Sequence, residues 1–289
     1  VLLVDNNSTD KTREVAERIT RESPRMRYLF EPLQKLSHAR NAGIRESRGE
    51  YIAFVDDDVY FSPSWLEAMV SAFERHPEID CIGGKVIPHF EAEKPSWLDD
   101  DLLWIYGVTR YGDYEREIQP PEIPIGCNMA FRRSVFEKIG IFHHSLGRRG
   151  GNLLSGEENN FFERVFHASL KTLYSPDAQL SHRIPPVRTT RKWVLNRFYW
   201  AGISDVVLRQ VGGEPLSRGT LTKQAVKVLI NLVLQWRDVA QLLVSRRGHD
   251  SGVPFRTQLD LHYKLGACRQ FIKELITRPF GIGDNRGHP

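Results

Sequence analysis

Apolar residues in this chain follow two rhythms. Short unbroken runs, Val1 to Val4 and Tyr51 to Val55, each end in aspartate and read as buried strands, and Ile79 to Ile87 predicts another. Between the first two lies a helix, with a start marked by Asn6-Asn7-Ser8-Thr9-Asp10 and an inner stripe of Val15, Ala16 and Ile19. Ser62-Pro63 predicts a second helix start, because Leu66, Met69, Val70 and Phe73 follow at i, i+3, i+4 and i+7. Capping boxes are expected at Ser134 with Glu137, in a short helix closed by Gly140, and at Ser155 with Glu158, ahead of Phe161, Phe162, Val165 and Phe166. Alternation of strand and helix argues for an α/β layer with a mostly parallel sheet, and such sheets bind ligands beyond the carboxyl ends of their strands. Asp5 and Asp56 to Asp58 fall there.

Residues 91–125 are rich in proline and read as a long surface excursion. From about residue 190 the pattern turns helical. Ala225, Leu229, Leu232, Val233, Trp236, Ala240, Leu243 and Val244 share one face of a long amphipathic helix, with Gln224, Lys227, Asn231, Gln235, Asp238 and Gln241 opposite and Arg246-Arg247 after it. A last helix is expected from Gln258 to Ile276. The expected organisation is a catalytic domain over 1–205 and a helical region over 206–289. Two readings of the long helix stand side by side: packing on a protein surface, and peripheral membrane contact through residues 225–247.

Charge sharpens this division. Residues 183–289 hold 18 Lys and Arg against 7 Asp and Glu, a net of +11, while residues 1–182 hold 22 against 29, a net of −7. An acidic half suits a bound cation and a basic half suits phosphates or an anionic membrane surface. The basic residues are scattered rather than gathered in one stripe, so nucleic acid is not an expected partner. Cys81, Cys127 and Cys268 form no CxxC pair, which favours a reducing, cytoplasmic setting, and no apolar run is long enough to span a bilayer. The start at Val1, in mid-strand, leads us to expect a fragment.

The stretch YIAFVDDD, Tyr51 to Asp58, carries the chemistry. Three adjacent carboxylates repel one another unless a cation or full solvation relieves them, and Mg2+ or Mn2+ would do so while keeping positions open for phosphate oxygens. An exposed acidic turn is the plain alternative. A haloacid-type phosphatase is disfavoured by Tyr60, which stands where that motif needs Thr or Val.

Five motifs, in order, resemble those of family 2 glycosyltransferases of the GT-A fold: Val4 to Asp10 (VDNNSTD), Ala39 to Gly43 (ARNAG), Val55 to Asp58, Gly126 to Arg133 (GCNMAFRR) and Gly156 to Glu158 (GEE). The resemblance covers about residues 1–185. It implies a nucleotide-diphosphate sugar donor, with a UDP-sugar first among candidates, a divalent metal, a saccharide or lipid-linked acceptor in glycoconjugate or cell-envelope synthesis, and transfer with inversion. It places Asp5, Asn7, Arg40, Asp56 and Asp57 at the donor, Asp58 and His182 at the metal, Asn128 and Arg132 toward the acceptor, and Glu158 as general base, with Glu157 in reserve. Here Glu stands where the family has Asp. Helical spacing puts Glu158 inward with Phe162 and Val165, and Glu157 about 100° away, over Phe161. The processive QxxRW signature is absent near Arg191-Lys192-Trp193. Two competing functions remain: a Mg2+-dependent nucleotidyltransferase, which lacks its Gly-rich basic loop here, and a non-catalytic sugar or membrane-surface module of the same fold.

Overall fold

A computed structural model describes residues 1–212, 216–244 and 252–277. The chain divides into two compact units, Val1–Val194 and Leu195–Pro289, a division that falls ahead of the break expected after residue 205. In the first unit the order is β1 (Leu2–Asp5), α1 (Thr12–Glu22), β2 (Arg27–Phe30), α2 (Leu36–Glu46), β3 (Tyr51–Val55), β4 (Val59–Phe61), α3 (Trp65–Arg75), β5 (Cys81–Phe90), β6 (Arg116–Ile118), β7 (Asn128–Arg132), α4 (Arg133–Ile139), α5 (Glu157–His167) and β8 (Thr172–Ile184). Helix α6 (Arg191–Val211) leads into the second unit, followed by α7 (Arg218–Leu234), α8 (Trp236–Val244) and α9 (Phe255–Thr277).

The expected strands form, but their pairing is more mixed than the alternation predicts. β1 and β2 pair in parallel; the larger sheet runs β3-β7-β5-β8-β4, with β6 added on β8. Only β5 and β8 run parallel in that sheet, while β7 lies antiparallel between β3 and β5. β7 is buried on both faces, which is why its sequence, NMAFR, does not alternate apolar with polar. On one side of β7, Phe131 meets Phe136, Phe161 and Phe162 in a cluster completed by Phe142. This aromatic core seats α5 against the sheet and so fixes the glutamates at its first turn.

Three expected helix starts shift by a few residues. α3 begins after Ser64 rather than at Pro63, α4 begins at Arg133 with no side-chain cap, and α5 is preceded by Gly156, whose φ of 107° takes the place of the Ser155 capping box. The single helix expected over 225–244 is interrupted at Gln235, between α7 and α8. In the second unit α6 and α9 cross at two glycines: a Cβ on Gly202 would lie 2.0 Å from the Tyr263 carbonyl oxygen, and one on Gly266 would lie 1.9 Å from that of Tyr199. Arg246-Arg247 lies outside the described residues. Among the described residues no helix is long and apolar enough to cross a membrane.

Candidate active site

The first unit gathers its charge around one arginine. Helix α2 turns Ser37, Arg40 and Asn41 inward, an unusual helix face, and each is claimed by the segment that follows α4. Ser37 Oγ donates to the Leu146 carbonyl at 2.8 Å, and the Asn41 amide exchanges two hydrogen bonds with the Phe142 backbone, at 2.8 and 2.9 Å. Arg40 lies over the Phe142 ring, 5.5 Å from its centroid. From there Nη1 donates to Glu158 Oε1 at 3.0 Å and to Glu157 Oε1 at 3.4 Å, while Nη2 comes to 4.0 Å from Asp56 Oδ1. Gly126 lies against this cluster: a Cβ there would fall 1.9 Å from Glu158 Oε1 and 2.4 Å from Arg40 Nη2. A side chain at this position would have to displace the end of Glu158 or of Arg40.

Burial and charge set the two glutamates apart. Burial alone would raise Glu158, but the Arg40 guanidinium holds it below the usual carboxylate range. Burial pushes Glu157 up to about 8, the charge on Glu158 adds to this, and Arg40 only partly opposes it. Glu157 is thus a neutral acid at pH 7 beside an ionised Glu158, and its Oε2 is buried with no partner. The order of exposure reverses the helical-wheel expectation. Glu157 is 2% exposed, whereas 18% of the Glu158 side chain meets solvent. With Gly156 before the helix, both residues enter its first turn beside Arg40, where the helix dipole also favours negative charge.

A second group lies at the other end of the DDD run. Asp58 Oδ2 accepts from Arg188 Nη1 at 3.1 Å and stands 3.3 Å from His182 Nε2, in the register where β4 pairs with β8. His182 Nδ1 faces the Tyr106 carbonyl, and the Tyr106 hydroxyl donates to the Arg188 carbonyl at 3.0 Å. Burial would lower the His182 imidazole, but its bond to Asp58 raises it; burial would raise Asp58, but His182 and Arg188 hold it down. Burial pushes the Cys127 thiol well up, and Asp56, Asp58 and Glu158 push it further. Asp58 and His182 converge, a donor pair that suits a divalent cation held by few protein ligands and completed by phosphate oxygens. Among the described residues no three-ligand protein cage exists.

The remaining expected site residues divide. Asp56 stands at the cluster, with 36% of its side chain open; burial and the charges on Asp58 and Glu158 raise it against the pull of Arg40. Asp57 is exposed. Both Asp5 oxygens are engaged, Oδ1 by the Ser8 amide at 2.9 Å and Oδ2 by the Tyr28 hydroxyl at 2.8 Å, which makes Asp5 a turn-former at the end of β1. Asn7 adopts a left-handed backbone, φ 58°, and its amide donates to the Pro32 carbonyl. Asn128 is wholly buried: its oxygen accepts from Trp65 Nε1 at 2.9 Å and its amide donates to the Lys85 and Ala178 carbonyls. Arg132 pairs in register with Tyr51, four residues and about 13 Å along the strand from the Val55 end. There it donates to the Ile79 and Phe73 carbonyls and lies over the Tyr51 and Phe73 rings. The structure does not bring Arg132 to the acidic cluster, and Asn128 is fully buried with both amide donors committed to backbone carbonyls. Arg188, which the sequence left without a role, and Arg148, whose charge acts on Asp56, Glu157 and Glu158, join the site instead.

Residues 1–140 match the model of the family described as glycosyl transferase family 2. This segment belongs to glycosyl transferase family 2. Among curated relatives, a glucosyl-dolichyl phosphate glucuronosyltransferase of Haloferax volcanii is 27% identical over 176 residues, covering 60% of this chain and 55% of that protein. The succinoglycan biosynthesis protein ExoM of Rhizobium meliloti is 28% identical over 209 residues, covering 70% and 62%. The chain thus spans less than two-thirds of the length of either. Among solved structures, the mannosyltransferase PcManGT from Pyrobaculum calidifontis, in complex with GDP-Man and Mn2+, aligns at a TM-score of 0.55 and 16% identity over 95% of this chain and 78% of that one. The likeness shows a shared fold, GT-A.

Proposed function

We propose that this chain transfers a sugar, with inversion, from a nucleotide-diphosphate donor to a hydroxyl of a saccharide or lipid-linked acceptor in glycoconjugate or cell-envelope synthesis. The observation that carries this reading is the ionised, solvent-reachable Glu158 held by buried Arg40 between Asp56 and the neutral Glu157. Glu158 is the residue able to take the acceptor proton: Arg40 keeps it deprotonated at neutral pH, and its exposed edge faces incoming substrate. Glu157 is buried and protonated, so it serves as a spacer that keeps a second negative charge off the pair. Arg40 is a positioning residue rather than the diphosphate clamp expected from the motif, because 5% of its side chain is exposed and its donors face carboxylates. The phosphate-facing cation in this reading is Arg188, with 26% of its side chain exposed.

Asp58 and His182 are the residues that would hold Mg2+ or Mn2+. The ion, when bound, would neutralise charge on the departing nucleoside diphosphate. Asp56 would lie near the ribose or the donor sugar. A UDP-sugar remains the first donor to test, although the fold neighbour carries GDP-Man.

The test is thermal stability of the chain with UDP, GDP, dTDP and CDP, each with and without Mn2+. Binding to the folded state stabilises by RT ln(1 + [L]/Kd), about 2.7 kcal/mol at 100 Kd. One nucleotide giving a shift that requires Mn2+, and that Asp58→Asn abolishes, supports the reading and names the donor class. Equal stability with all four counts against it.

A further inference from the structure

Helix α7 carries two apolar stripes where a globular helix needs one. The inner stripe, Leu221, Ala225 and Val228, packs with Ala267, Phe271 and Leu275 of α9. The outer stripe, Val226, Leu229, Ile230, Val233 and Leu234, follows the i, i+3, i+4, i+7, i+8 spacing of one helical face. Those five side chains are between 43% and 76% exposed, and no described residue covers them. Trp236 extends the exposed apolar surface at 60%, with the Arg237 guanidinium 5.7 Å from its ring centroid.

The charge of the helix selects what could cover this stripe. α7 contains Arg218, Lys223 and Lys227 and no aspartate or glutamate. Lys223 and Lys227 are exposed, and the helical wheel puts them beside the stripe, on the flank of Leu234. A second copy of this face would bring like charges together and offer no acid to meet them. A bilayer surface satisfies both parts: acyl chains take the stripe and anionic headgroups take the lysines. The helix has 17 residues and is too polar on its flanks to cross, so it would lie in the interface plane. The unit to which it belongs lies in the half of the chain that carries a net of +11.

We propose that the outer face of α7 docks this protein onto an anionic lipid bilayer, with Val226, Leu229, Ile230, Val233 and Leu234 entering the headgroup boundary and Lys223 and Lys227 engaging acidic headgroups. Docking of this kind requires no sugar transfer, so it and the transfer reading can fail separately.

The test is co-sedimentation of the full chain with vesicles of phosphatidylcholine alone and with vesicles containing one-third phosphatidylglycerol. The wild type partitions onto the acidic vesicles and is released by salt. Ile230→Asp with Leu234→Asp lowers partition at least tenfold, a lower bound set by two charges placed in the apolar stripe. Lys223→Gln with Lys227→Gln lowers it roughly 25-fold, about fivefold for each charge near the surface. The lysine variant leaves the apolar packing untouched, so it stands as the control should the aspartate variant melt early in circular dichroism. Three results overturn the proposal: no partition of the wild type onto acidic vesicles, wild-type partition by both variants, or a dimer in light scattering that the aspartate variant dissolves.

Discussion

Replacing Glu157 by glutamine should make this protein more stable, and more so as the pH rises. The carboxyl moves from an ordinary value of 4.5 to about 8, through burial first and the charge on Glu158 second. Between those two values the unfolded chain has lost this proton and the folded chain keeps it, so folding takes up a proton and stability falls as pH climbs from 4.5 toward 8. At about 1.4 kcal/mol per pKa unit the full shift corresponds to on the order of 5 kcal/mol. Proton sharing with Glu158 and local relaxation take up part of it, leaving on the order of 2 kcal/mol. Glutamine keeps the shape and the neutrality of the acid form, so the variant should lack this slope. The assay is paired thermal melting of wild type and Glu157→Gln from pH 5 to 8. The difference in Tm should grow with pH and reach roughly 4–8 °C at pH 8, for a unit of this size. His182, raised by its bond to Asp58, is common to both proteins and cancels in the difference. A Tm difference that stays flat from pH 5 to 8 would refute the account of Glu157.

Other predictions concern the frame around the site. Asn128→Ala removes three hydrogen bonds and leaves the Trp65 indole and two carbonyls unsatisfied in a buried strand, so chemical denaturation should show a loss of about 3–5 kcal/mol with no selective effect on ligand affinity. Gly126→Ala must displace Glu158 or Arg40, so transfer should fall at least a hundredfold while circular dichroism keeps the wild-type spectrum. Arg132→Ala, read as a structural staple, should lower Tm and leave nucleotide affinity unchanged, as a titration would show.

Much of the fold was legible in the sequence because apolar runs carry their own period. YIAFV is β3 to the residue, and the run Val1 to Val4 falls on β1 to within one residue. The resemblance named Arg40, Asp56, Glu158, Asp58 and His182, and the structure brings Arg40 to Glu158 and Asp58 to His182 from positions more than 100 residues apart in the chain. What was misread depended on side-chain direction. A motif such as GCNMAFRR locates β7 but says nothing of strand polarity, and the antiparallel register carries Arg132 away from the acids while bringing Gly126 to them. The order of Glu157 and Glu158 reversed because Phe161, one turn on from Glu157, also faces the core, at 0% exposure. In α7 one apolar periodicity concealed two faces: Ala225 turns inward and Leu229 and Val233 turn outward, a division set by where α9 lies.

The central claim is that donor binding and proton removal are separate duties of Asp58 and Glu158. The most direct measurement follows nucleotide binding by calorimetry and donor-sugar turnover on the same preparations of wild type, Asp58→Asn and Glu158→Gln, with Mn2+ present. The account predicts that Asp58→Asn loses nucleotide binding and turnover together, whereas Glu158→Gln keeps the wild-type Kd and loses turnover by at least a hundredfold. Turnover retained by Glu158→Gln, or nucleotide binding unchanged in Asp58→Asn, would contradict it.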